Sequence, residues 1–97
     1  MKKGQWTLIS NHGLILIYIA EQPKSTTEVI SRKVGLSQRG VQKIIADLED
    51  AGYVAHRKEG RCNLYTVHPE LPMRHQLERG HSAGDLILAL GWDHKKD

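Results

Sequence analysis

The sequence predicts an α+β, mainly helical domain: a three-helix core, a two-stranded β-hairpin and an additional C-terminal helix. Three observations predict it. Apolar residues recur at helical spacing in three segments before Gly52, the apolar period then drops to two, and a capping signature at Ser82 opens a last apolar run. With 97 residues, one core must serve every element. Residues 1–97 are therefore expected to form a single domain, its core at about 10–67 and a linker and helix at 68–91. Hydrophobic residues are 39% and charged residues 26% of the chain, proportions that exclude a disordered chain and a coiled-coil rod.

The first helix is expected over Asn11–Ala20, with Ser10 and Asn11 as caps and Gln22-Pro23 as its stop. Its apolar residues Leu14, Ile15, Leu16, Ile17, Tyr18 and Ile19 go all the way round, which predicts a second subunit on one side; the β-branched content leaves a strand as the alternative. Ser25-Thr-Thr-Glu28 reads as a capping box for a second helix running to about Lys33. Gly35 then supplies the positive φ of a tight turn, and Ser37 caps the third helix. In that helix Val41, Ile44, Ile45 and Leu48 form one apolar stripe, ending at Asp50-Ala51-Gly52. Tyr53–Arg57 and Asn63–Val67 are β-rich runs joined by Lys58–Cys62 with Gly60 in the turn. Pro69 and Pro72 mark a linker, and Ser82-Ala-Gly-Asp85 precedes a short apolar helix, Leu86–Leu90.

Two helices, a glycine turn, a third helix and a basic hairpin follow the order of a winged helix-turn-helix. Ile30-Ser-Arg-Lys-Val-Gly-Leu-Ser-Gln-Arg-Gly-Val41 carries the resemblance, with small Ser31 four before Gly35 and Val41 six after it, spacings that let the two helices cross closely. The continuation Ile44-Ile-Ala-Asp-Leu-Glu-Asp-Ala-Gly-Tyr-Val54 resembles the recognition helix and the start of the wing in regulators of the MarR and ArsR type. The resemblance covers about Leu14 to Val67. It implies a sequence-specific, double-stranded-DNA-binding transcriptional regulator; the single cysteine points to a cytoplasmic protein, and no cofactor is expected.

The residue chemistry points the same way. With Val41, Ile44, Ile45 and Leu48 inward, the opposite face of the third helix carries Arg39, Gln42 and Lys43 near its start, with Gln38 at the edge. Arg forks onto guanine and Gln onto adenine, whereas Lys43 suits phosphate. Ser25, Thr26, Thr27 and Ser37 fall at expected helix N-termini, which favour a phosphate. Residues 24–43 hold Lys24, Arg32, Lys33, Arg39 and Lys43 against Glu28 alone, more positive than the chain's net +3. The hairpin adds Arg57, Lys58 and Arg61 against Glu59, suited to a minor groove or the adjacent backbone.

A homodimer is expected, through Leu14, Ile15, Ile17, Tyr18, Leu86, Ile87 and Leu90. Six histidines (His12, His56, His68, His75, His81, His94) lack the spacing of a helical zinc site, so no metal is expected. Cys62, the single cysteine, reads as a surface thiol beside Arg61 rather than a redox sensor; alone it excludes a disulfide scaffold. Trp6 and Trp92 suit a subunit contact or an effector pocket, and no small-molecule effector is identified. The Asp93–Asp97 tail should fray. Neither a secretory cleavage site nor an apolar run of membrane length is present, and no nucleophile–base set or phosphate loop suggests an enzyme. Two alternatives remain open: a winged helix used as a protein-interaction module in a larger assembly, and a single-stranded nucleic-acid binder, which would need exposed aromatics such as Tyr53 and Tyr65.

Overall fold

The computed structural model describes residues 6–78 and 80–90; the expectations for Gly91, Trp92 and the tail lie outside the described residues. Helix α1 spans Asn11–Glu21, where the Ser10 hydroxyl oxygen accepts from the Gly13 N–H and Pro23 follows the last turn. The strand alternative for this segment is therefore excluded. α1 occupies the centre of the fold. Helices α2 (Thr27–Val34), α3 (Gln38–Asp50) and α4 (Ala83–Ala89) and strand β3 (Cys62–Val67) all pack on it. Its all-round apolar character is thus mostly satisfied within one chain: Ile15, Leu16 and Ile19 are buried, and Ile17 and Tyr18 pack against the same core. Ile15 and Ile87 have no exposed surface at all, so neither is available to a partner subunit, contrary to the sequence-based expectation.

The start of α2 also differs from expectation. Lys24–Ser25 form a short strand, β1, pairing antiparallel with β3, and the sheet order is β1-β3-β2 with β2 at Val54–Glu59. Ser25 is opposite Asn63 in this ladder, is buried, and donates its hydroxyl to the Gln22 carbonyl oxygen at 2.8 Å. Thr26 is the actual cap, its hydroxyl oxygen accepting from the Val29 N–H at 3.1 Å. Strand pairing has claimed the residue that local reasoning assigned to the cap, because extended backbone with an inward side chain leaves nothing to reach the helix N-terminus.

α2 ends at Gly35, whose N–H donates to the Ser31 carbonyl oxygen at 2.8 Å and whose φ of 87° turns the chain so that the Leu36 N–H reaches the same oxygen at 3.1 Å. The chain can then turn sharply, and Ser37 caps α3 through the Gly40 N–H. Val41, Ile44, Ile45 and Leu48 are buried in one stripe, as their spacing predicts. The hairpin that follows is longer and tighter than expected, with a two-residue Gly60-Arg61 connection and positive φ at Gly60 only, the II′ pattern.

Hydrogen bonds tie the segment after the hairpin to the start of α4 and to Tyr53. The Tyr53 hydroxyl donates to the Pro72 carbonyl oxygen at 2.6 Å, Pro72 bridges to Ser82, and the N–H groups of Ala83 and Gly84 donate to the Leu71 and Pro69 carbonyls. Ser82 and Asp85 cap α4 reciprocally, the capping box expected from the sequence. Among the described residues, no helix is long and apolar enough to cross a membrane.

Candidate nucleic-acid interface

α3 presents Gln38, Arg39, Gln42 and Lys43 to solvent from its first two turns while its apolar stripe is buried. These four side chains are the ones expected on the outer face. They are not equivalent. Lys43 is drawn back along the helix to Asp47, Nζ to Oδ1 at 3.1 Å, and Gln38 Oε1 accepts from the Thr27 hydroxyl at 3.2 Å. Asp47 also receives His12 Nε2 at 2.8 Å, and these hydrogen bonds, His12 first and Lys43 second, hold its carboxyl below the ordinary carboxylate range.

The expected phosphate contacts divide in the same way. Thr26 and Ser37 stand at the N-termini of α2 and α3 with their hydroxyl oxygens engaged in capping, and their O–H groups remain available as donors. Thr27 is directed at Gln38, and buried Ser25 is withdrawn from any ligand.

Alternation sorts the wing. On one face of the sheet lie Val54, His56 and Lys58 with Asn63, Tyr65 and Val67; on the other lie Ala55, Arg57 and Glu59 with Cys62, Leu64 and Thr66. A cleft of about 230 Å³ between α3 and the first face is lined by Thr27, Gln42, Glu49, His56, Asn63 and Tyr65. Lys58 therefore extends from the sheet face that looks onto α3, whereas Arg57 points the opposite way, where Glu59 contacts both Arg57 (3.4 Å) and Lys24 (3.6 Å). Arg61 sits in the turn itself. Among the described residues, Arg39, Lys58 and Arg61 make no ion pair, while Lys24, Lys43 and Arg57 are each paired. Arg32 and Lys33 occupy the last turn of α2, where cations complement the helix dipole. The basic stretch 24–43 is thus several separate features, not one patch.

His56 and Asn63 border this cleft and were not expected there. The His56 ring bonds the Glu49 carboxylate and lies 5.7 Å from the Tyr65 ring, and Asn63 donates to the Tyr65 hydroxyl at 3.1 Å. Strand alternation carried the signal, once the hairpin register is known. Tyr53 and Tyr65 are buried, and burial raises both phenol pKa values, so neither offers a stacking platform for bases. Cys62 is half-buried at the end of β3 rather than exposed at the tip. A second, open groove of about 760 Å³ lies at the other end of α3, lined by Ile9, Leu16, Leu48, Tyr53, Ala83 and Leu86 among others.

Residues 7–61, more than half of the chain, match the sequence profile of the MarR family. The chain belongs to the MarR family. The ArsR side of the resemblance has no counterpart in that match. Solved structures agree with this MarR-family chain at the level of fold. Wild-type ZitR of Lactococcus lactis in complex with DNA is 22% identical over 70% of this chain and 49% of its own, with a TM-score of 0.51. MepR of Staphylococcus aureus, a transcription regulator of the multidrug efflux pump MepA, is 14% identical over 82% of this chain and 53% of its own, with a TM-score of 0.57. A MarR family regulator from Neisseria meningitidis is 20% identical over 63% and 45%, with a TM-score of 0.52. The MarR-family chain spans about half the length of these structures. No curated protein matches it significantly. The four helices and small antiparallel sheet are those of a winged helix.

Proposed function

We propose that this MarR-family chain is a cytoplasmic, sequence-specific transcriptional regulator that binds double-stranded DNA. In this reading α3 enters the major groove and the wing lies along the backbone or minor groove. One observation carries it. Arg39 and Gln42 stand exposed on consecutive turns at the start of a helix whose opposite stripe is buried, and Lys58 and Arg61, without an ion pair among the described residues, extend from the adjoining hairpin. A helix so presented matches the major groove in width, and Arg and Gln are the side chains whose paired donors and acceptors distinguish guanine and adenine edges.

Selection of bound sequences from a random duplex pool identifies the preferred site, and fluorescence anisotropy on that site and a scrambled duplex then tests the reading. Arg39→Ala or Gln42→Ala should each cost about 1–3 kcal/mol on the preferred site and relax the choice at one base pair. An unchanged matched-to-scrambled ratio in both variants would remove α3 as the reading element and turn attention to a protein-interaction role.

A further inference from the structure

We propose that Thr27 is a positioning residue for sequence reading: it holds the Gln38 carboxamide in place before DNA arrives, instead of serving only as a phosphate contact. The inference rests on the DNA-binding reading above and deepens it. Thr27 is the first residue of α2 and Gln38 the first residue of α3, eleven positions apart in the chain and brought together by the turn at Gly35. The Thr27 hydroxyl donates to Gln38 Oε1 at 3.2 Å.

Gln38 is otherwise an exposed, long side chain, whose terminal amide would rotate freely and interchange its donor and acceptor ends. A free side chain of this kind must give up its rotamers on binding, which weakens both affinity and discrimination. Anchored by Thr27, the amide keeps both Nε2–H donors and one lone pair on Oε1. That is the donor–acceptor fork that an adenine edge accepts through N7 and N6. Thr27 suits the task because β-branching stiffens χ1 and the neighbouring cap at Thr26 fixes its backbone. The contact also joins the helix end that faces the phosphates to the side chain that faces the bases, so seating α2 on the backbone orients Gln38 at the same time.

The test uses the full chain, the preferred duplex and a set of its single-base-pair substitutions, with relative affinities read by competition anisotropy at one salt concentration. Gln38→Ala should flatten the preference at one base pair. Thr27→Val, which keeps the side-chain shape and removes the hydroxyl, should flatten it at that same base pair, by roughly three- to tenfold, toward the lower end for residues in direct contact. The double variant should be no flatter than Gln38→Ala alone, and Thr27→Ser should restore the preference because it restores the donor. Equal weakening of every duplex by Thr27→Val would mean a phosphate contact only, and an unaltered preference would mean no role in reading; either overturns the inference while the DNA-binding reading stands. A wild-type chain with no base preference would overturn both.

Discussion

At the scale of single residues, the decisive quantity is whether a polar side chain already has a partner. Asp47 accepts hydrogen bonds from His12 and Lys43, and its carboxyl titrates below the ordinary range because those bonds favour the ionised form. A carboxyl whose folded pKa is depressed contributes stability above its unfolded value and loses it as pH falls through the folded one. Asp47→Asn should therefore lose this contribution at neutral pH and flatten the acid limb of stability below about pH 4, so that the two chains converge in strong acid; urea denaturation at pH 7, 5, 4, 3 and 2 reads the difference. The same criterion separates two wing cations. Lys58 makes no ion pair among the described residues and stands on the face toward α3, whereas Arg57 points away and meets Glu59. Lys58→Ala should lower the slope of log affinity against log salt by about one unit and Arg57→Ala by clearly less. Equal slopes in the two variants would contradict this sorting.

At the scale of elements, the helix-turn-helix depends on one backbone conformation. Gly35 has a φ of 87°, and a Cβ built there meets nothing within 4 Å, so the cost of a substitution lies in the backbone alone. Gly35→Ala should destabilise by about 1–2 kcal/mol, while Gly35→Asn should cost less because asparagine tolerates the left-handed region. Thermal unfolding of the two variants side by side checks the order. Gly84 poses the opposite problem: a Cβ there would stand 2.9 Å from Pro69 Cβ and 3.0 Å from the Pro69 carbonyl oxygen, so α4 approaches the loop closely only because that residue has no side chain.

At the scale of the molecule, the apolar surface left over by one chain is what bears on association. α1 is largely covered, yet Leu88 and Leu90 on and beside α4 and Leu8 before α1 remain exposed, with Leu14 and Leu86 half-buried. We propose a homodimer through α4 and the outer edge of α1, with Leu88 taking the place of the buried Ile87. Light scattering should give twice the 11.0 kDa chain mass, and Leu88→Ser with Leu90→Ser should return it to the single-chain value while leaving the fold intact. Two symmetric copies of α3 would then require half-sites about 10 base pairs apart. By contrast, Ile15→Ala should unfold the chain, because its side chain is wholly inside.

The sequence by itself determined the four helices, the hairpin and their order. Helix starts at Ser10, Ser37 and Ser82, the stop at Gly35, the stripe Val41–Leu48 and the change of period after Gly52 are local signals, written in caps and spacing that act within a few residues. It also placed Gln38, Arg39, Gln42 and Lys43 outward, since a buried stripe on a helix defines its opposite face. Only the tertiary structure decided what depended on contacts between distant segments. Ser25 became a strand residue because Asn63 pairs with it, and α1 became central because four other elements cover it. Arg57 and Lys58 parted because the hairpin register assigns them to opposite faces, and Thr27 met Gln38 because the Gly35 turn brings two helix starts together. Local signals choose a conformation for each segment, but which face meets which neighbour is set by packing across the whole chain, where burial and pairing outweigh the preferences of any one segment.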